Sequence, residues 1–101
     1  MALEVPAALL SDIKDYLDIT WTDAATDRKT LGFIRSGMAY LNDKLGEPAD
    51  YEADGEPRTL LFDYCRYARD SALDVFEANY MSRILAMQHR RQVRAFAQEA
   101  L

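Results

Sequence analysis

The sequence has few of the residues that stabilise small domains through disulfide bonds or bound metal ions. It contains one cysteine, Cys65, and one histidine, His89. A lone cysteine excludes an intrachain disulfide, and one cysteine with one histidine cannot supply the usual ligands of a zinc site. A chain of 101 residues without these stabilisers depends on a small apolar core, so it gains from association with further copies or with partners.

Long hydrophobic runs are also missing. The longest unbroken apolar run is about four residues, as at 7–10, whereas a membrane-spanning helix needs roughly 20. No charged segment followed by a long apolar stretch marks a secretory signal. The sequence therefore predicts a chain of cytoplasmic origin that makes no membrane contact.

The composition is otherwise that of a folded soluble protein. Hydrophobic residues make up 50% and charged residues 29% of the chain, and 12 basic against 17 acidic residues give 12 − 17 = −5. These proportions disfavour disorder and predict one domain that spans residues 1–101.

Helical periodicity predicts an all-α fold, a bundle of about four helices. An N-terminal arm at 1–10 precedes a short helix from Ser11 to Ile19. A long second helix at 23–45 ends at Gly46, and its apolar stripe falls at offsets 0, 3, 7, 10 and 14: Leu31, Ile34, Met38, Leu41 and Leu45. A third helix begins at Pro57, and its apolar face runs on through Ala72 to Val75. A fourth begins near Asn79, so that a helical body at 11–80 is followed by a basic C-terminal helix at 81–101.

Two glycines interrupt the second helix. Gly32 and Gly37 each cost about 1 kcal/mol relative to alanine in a helix interior. Either the helix tolerates this weakness or, as we favour, the backbone of another helix approaches closely at both positions.

The loop at 46–57 carries five acidic residues and no basic one. Asp50, Glu52 and Asp54 imitate the first three ligands of an EF-hand, and Gly55 sits at its sixth position. The closing glutamate is missing, because position 12 is Leu61. We therefore expect a solvated or partner-facing loop rather than a metal site.

Charge changes sign along the chain. Residues 1–80 hold 8 basic and 16 acidic residues, which gives −8, whereas residues 81–101 hold four arginines and one glutamate, which gives +3. Apolar residues are sparse after Leu85, so this segment is predicted to project and dock on another surface. A protein surface is favoured over a nucleic-acid backbone or a membrane face, because the acidic body repels phosphate. The expected docking residues are Arg83, Arg90, Arg91, Arg94 and Phe96.

Catalytic chemistry is not indicated. Cys65 lies on an apolar helix face and is expected in the core, while His89 is expected to be solvated. Asp12, Asp15 and Asp18 are spaced as a solvated helix face, and no phosphate-binding loop or hydrolase motif occurs. The chain is predicted to be no enzyme and to bind no cofactor or metal.

The aromatic residues favour packing over base stacking, because their neighbourhood is acidic. We expect five residues at a contact between subunits: Trp21, Gly37, Tyr40, Tyr64 and Tyr67.

The order of these segments resembles a known family. The runs DIKDYLDITW at 12–21, FIRSGMAYL at 33–41 and LLFDYCRYAR at 60–69, with Asp23, Asp27, Ala72, Leu73 and Phe76, resemble the small head-tail connector (adaptor) proteins of tailed phages. The resemblance covers roughly residues 10–88.

The resemblance implies a structural virion protein at the head-tail interface, assembled in the host cytoplasm. It implies a homo-oligomeric ring of about twelve subunits beneath the portal protein. Such a ring extends the DNA channel, contacts DNA passively and receives a tail-completion or stopper protein. By position, the 83–94 segment resembles the portal-docking helix. The alternative is a small helical nucleic-acid-binding or regulatory module that uses the C-terminal arginines on phosphate.

Overall fold

A computed structural model describes residues 3–99 and contains four helices. They are α1 (Ala7–Tyr16), α2 (Ala24–Leu45), α3 (Glu56–Arg69) and α4 (Leu73–Glu99). No strand occurs among residues 3–99. The predicted all-α bundle with a long second helix is therefore confirmed. The ends of the predicted domain and of its C-terminal helix, residues 1, 2, 100 and 101, lie outside the described residues.

Helix α1 starts earlier and ends earlier than predicted. Pro6 precedes its first turn, and the Pro6 carbonyl accepts hydrogen bonds from the amides of Leu9 and Leu10. Leu9 and Ile13 bury the same face of the helix. The predicted arm at 1–10 is therefore wrong for residues 7–10, and Ser11 lies within the helix rather than at its cap. The burial of Leu9 explains why the helix begins there.

Helices α1 and α3 end in the same motif, and neither uses glycine. Asp18 has φ +59° and Ser71 has φ +56°. After α3, the Ser71 amide donates to the Ala68 carbonyl and the Ala72 amide to the Tyr67 carbonyl, the paired bonds of a Schellman cap.

This cap sets the boundary between α3 and α4. The prediction that the third helix continues to Val75 and the fourth begins near Asn79 is wrong. The chain turns at Ser71, so Val75 lies in the first turn of α4 and is 44% exposed.

Helix α2 follows its sequence signals closely. The Asp23 carboxylate accepts a hydrogen bond of 2.9 Å from the Thr26 amide and so caps the first turn. Gly46 ends the helix with φ +87°, the left-handed conformation that glycine adopts without strain. With 22 residues, α2 extends about 33 Å and joins the two ends of the bundle.

The core lies where α1, α2, α3 and α4 meet. Cys65 is fully buried among apolar side chains, as the sequence predicts. The fully buried residues are Leu9, Ile13, Ile34, Leu41, Leu60, Leu61, Cys65, Phe76 and Ile84.

The two glycines of α2 differ. A Cβ on Gly37 would lie 2.7 Å from Leu61 Cδ1 and 2.8 Å from Tyr64 Cδ1, whereas a Cβ on Gly32 would meet nothing within 4 Å. Helix α3 therefore approaches Gly37 closely, with side chains rather than with the predicted backbone. The prediction is wrong at Gly32, which lies on the exposed side of α2.

Candidate interaction surfaces

The C-terminal half of α4 lies largely outside the core. Phe76, Ile84 and Met87 are the buried residues of this helix, so none of the described residues after Met87 is buried. Phe96 is 74% exposed and Val93 is 52% exposed. The predicted projection of this segment is therefore confirmed.

Exposed apolar residues form a second face along α4, which we call the outer stripe: Val75, Leu85 and Phe96, with Val93 at its edge. At about 100° per residue these positions fall within a sector of about 80°. The core-facing side of α4 carries Phe76, Tyr80, Ile84 and Met87 instead. Helix α4 is therefore apolar on two sides, one packed on the core and one exposed.

The loop and the basic segment are joined by ion pairs. Arg83 Nε lies 3.0 Å from Glu56 Oε1, and Arg91 Nε lies 3.4 Å from Glu47 Oε1. Arg94 is at the 4.0 Å limit from the same Glu47 oxygen. Within residues 3–99, no carboxylate lies within 4 Å of Arg90.

These pairs change the expected charge pattern. The basic segment is predicted to dock on another surface, but part of its charge is neutralised by the acidic loop of the same chain. The Gln88 side-chain amide also donates to the Lys44 carbonyl at 2.9 Å. The base of the projecting segment is therefore fastened to the end of α2 and to the loop.

The acidic loop is also anchored from within. Tyr51 is 3% exposed, and its hydroxyl donates to Asn42 Oδ1 at 2.6 Å. Burial raises the pKa of Tyr51 to about 12. The Asp50 carboxylate accepts from the amides of Glu52 and Ala53. Asp50 thus shapes a turn, and the loop is not merely a solvated charge run.

A groove separates the C-terminal half of α4 from the start of α3, and we call it the α4 groove. Its volume is about 560 Å³. Its apolar lining consists of Leu45, Pro57, Met87 and Val93, and its polar lining of Glu56, His89, Arg90 and Arg94. An apolar side chain flanked by carboxylates matches this lining.

Trp21 stands at the opposite end of α2, in the connection at 17–23 that we call the Trp21 loop. It is 53% exposed, and its indole N–H lies 3.4 Å from Thr26 Oγ1. Lys29 and Arg69 line a small cavity beside it, where Arg69 donates to the Leu17 carbonyl at 2.6 Å. The exposed ring fits the predicted interface role of Trp21, which remains a prediction.

The other expected interface residues have contacts within the chain. Tyr64 is 5% exposed and packs edge-on against Phe76 with ring centroids 5.4 Å apart. Gly37 is buried beneath Tyr64. Tyr40 and Tyr67 are half-buried, and each packs against Phe76. These contacts join α2, α3 and α4, so Gly37 and Tyr64 offer little surface to a neighbouring subunit.

Sequence reasoning missed a polar junction at Asp63. Its carboxylate accepts hydrogen bonds from the hydroxyls of Tyr16 and Tyr80, which links α3 to α1 and α4. Burial, that hydrogen bond and the charge of Asp63 raise the pKa of Tyr80 to about 12. The i,i+3 spacing of Asp63 and Arg66 favours a local ion pair, whereas the tyrosine partners of Asp63 lie 47 and 17 residues away. Because the partners of Asp63 are distant in the sequence, no local pattern predicts these hydrogen bonds.

Cys65 and His89 lie in different environments, Cys65 in the core and His89 on the exposed surface of α4. Burial raises the pKa of the Cys65 thiol to about 12, so the thiol stays protonated near neutral pH. His89 is exposed on α4, as predicted.

Comparison of the chain with protein-family models, curated proteins and solved structures finds no match. Within residues 3–99, no helix combines the length and the apolar character that crossing a membrane requires.

Proposed function

We propose that this chain is the repeating subunit of a ring that joins the portal of a tailed-phage capsid to tail-completion proteins. The ring extends the DNA channel, performs no covalent chemistry and contacts DNA only passively. The resemblance over residues 10–88 supports this role, and so does the all-α bundle. In this proposal the protein resides at the head-tail interface of the virion.

The observation that carries the proposal is the apolar exposure at the end of α4. Val93 and Phe96 stand in water on a segment that contributes no buried residue after Met87. A large exposed aromatic side chain beside arginines is typical of the centre of a protein interface. The portal is the proposed partner of this end, with Phe96 as its anchor.

The paired arginines favour a protein partner over a nucleic acid. Arg83, Arg91 and Arg94 face carboxylates of the same chain, so releasing them to bind phosphate costs these contacts. A phosphate-binding module would gain from unpaired cations along one face. The alternative nucleic-acid function therefore stands second.

The test combines assembly with portal binding. Purified protein is examined by light scattering and electron microscopy, alone at high concentration and with purified portal rings. We expect rings in at least one condition, and retention on immobilised portal. Strictly monomeric behaviour in both conditions would overturn the proposal.

Phe96→Ser tests the anchor. We expect portal affinity to fall about thirtyfold, as for an interface hot spot, while the helical circular dichroism signal is kept. Val75→Ser is the matched control, because Val75 is an exposed apolar residue at the other end of the same helix. Equal losses for both variants would contradict a Phe96 anchor.

A further inference from the structure

We infer that the α4 groove of one subunit binds the Trp21 loop of a second copy. This inference rests on the proposed ring and names the contact that builds it. Trp21 is half-exposed, and the groove is open between α4 and the start of α3.

The chemistry of the two surfaces is complementary. The groove offers an apolar floor made by Leu45, Pro57 and Met87, and the loop offers a half-exposed indole. Tryptophan and arginine dominate the energetic centres of protein interfaces. A guanidinium over an indole face adds a cation–π attraction, and Arg90 lies at the groove edge to supply it.

The charges are complementary as well. Asp18 and Asp23 flank Trp21, and Asp15 precedes them on α1. Within residues 3–99, no basic side chain lies within 4 Å of these three carboxylates. The groove edge carries Arg90, without a carboxylate partner in the described residues, and Arg94, whose side chain is 71% exposed. An acidic loop approaching a basic groove is favoured in rate and in orientation.

The positions of the two surfaces require a second copy. The Trp21 loop adjoins the start of α2, whereas the groove includes Leu45 at its end, about 33 Å away along the helix. One chain cannot place its own loop in its own groove. Such a contact is either reciprocal, which gives a closed dimer, or heterologous, which repeats from copy to copy and forms a ring where the rotation closes. The proposed ring requires the heterologous form, and a ladder of oligomers beyond the dimer distinguishes it.

This contact divides α4 between two partners. The side with Arg90 and Arg94 faces the next subunit, and the outer stripe with Leu85 and Phe96 remains for the axial partner. Ring assembly and portal binding then depend on different residues of one helix.

Cysteine cross-linking tests the contact. The double variant Thr22→Cys/Val93→Cys keeps the Trp21 indole, because Thr22 is its exposed neighbour. Treated with a short bismaleimide at a concentration where wild-type protein assembles, it should give a ladder of covalent oligomers. Cys65 is fully buried and stays protonated, so it does not compete. The matched control is Thr22→Cys/Leu85→Cys, because Leu85 is as exposed as Val93 but lies on the outer stripe.

Mixing two single-cysteine variants tests whether the loop of one copy meets the groove of another. Thr22→Cys mixed with Val93→Cys should give cross-linked dimers that contain one copy of each variant, and each variant alone should give none. An absent ladder while wild-type protein assembles would overturn this inference and leave the ring standing. A wild-type chain that stays monomeric in every condition would overturn both.

Substitution measures the strength of the contact. Trp21→Ala should weaken self-association about thirtyfold, whereas Leu85→Ala leaves it unchanged. Arg90→Glu should weaken it at least about tenfold, and Arg28→Glu is the control of equal charge change. Protection of a groove cysteine by duplex DNA, with no protection by a second copy, would assign the groove to nucleic acid and overturn the inference.

Discussion

At the scale of single residues, Gly37 and Gly32 show what spacing reveals and what it conceals. Both interrupt the same helix, and both were expected to face another helix. Only Gly37 does, since the side chains of Leu61 and Tyr64 occupy the place of its missing Cβ. A glycine within a helix suggests a close neighbour, but the neighbour is present only where the glycine faces the core.

Gly37→Ala should destabilise the protein by about 1–3 kcal/mol, the usual cost of overpacking. Gly32→Ala should instead stabilise it by about 0.5–1 kcal/mol, because alanine favours the helix and meets no neighbour there. Urea unfolding of both variants gives the comparison. Shifts of the same sign would contradict the packing at Gly37.

Tyr51 makes stability depend on alkaline pH. Its pKa is about 12 in the folded chain and 10.0 without burial, so above pH 10 the unfolded chain releases a proton that the folded chain keeps. The stabilising contribution is complete below pH 10 and is lost as pH rises towards 12.

We therefore expect the advantage of wild-type protein over Tyr51→Phe in free energy of unfolding to shrink between pH 10 and pH 12. Denaturant titrations at several pH values measure it. A difference that stays constant over this range would show that the phenol is not shielded in the folded chain.

At the scale of the helices, the sequence predicts the elements better than their ends. Helix α2 has an aspartate cap and a terminal glycine, and its bounds were predicted almost to the residue. Helices α1 and α3 end on Asp18 and Ser71 at positive φ, where a glycine would normally signal the stop. Because α3 lacks that signal, apolar spacing alone predicted that the third helix continues to Val75.

Ser71→Gly should stabilise the protein by about 0.5–1 kcal/mol, because glycine adopts this backbone conformation without the strain of a side chain. Ser82→Gly, the same substitution within α4, should destabilise it by about 0.5–1 kcal/mol. Thermal or urea unfolding distinguishes them. A loss of stability in Ser71→Gly would contradict the left-handed cap.

The ion pairs of Glu47 fasten the projecting end of α4. Glu47→Gln should speed hydrogen exchange of amides at 88–99 by no more than about fivefold, since a surface ion pair contributes less than about 1 kcal/mol. Glu52→Gln, in the same loop, is the control, and added salt should reproduce the effect of Glu47→Gln in wild-type protein. Equal exchange in both variants would indicate that Glu47 does not hold the helix.

At the scale of the whole molecule, the described chain measures 51 × 27 × 25 Å and carries its unlike surfaces at opposite ends of α2. Sequence patterns predicted a projecting basic segment and an exposed Trp21. They did not predict that Glu47 and Glu56 meet the arginines, because those contacts arise only when the loop folds back over α4. The α4 groove depends on the same packing, so no sequence motif predicts it.

Assembly should appear as concentration-dependent stability. The unfolding midpoint of wild-type protein should rise with protein concentration, because association stabilises the folded subunit. Trp21→Ala should abolish most of this rise, and Leu85→Ala should preserve it. Scanning calorimetry over a wide concentration range measures the effect, and a midpoint independent of concentration would argue against self-association.

The outer stripe also bears on the handling of the free protein. Phe96 and Val93 in water attract one another across molecules, while the net charge of −5 keeps molecules apart through mutual repulsion. Acidification towards the isoelectric point removes that repulsion, so the attraction between exposed apolar side chains dominates. We expect the protein to precipitate near its sequence pI of about 4.7, because the docking helix has no partner in the free protein. Phe96→Ser should reduce this precipitation.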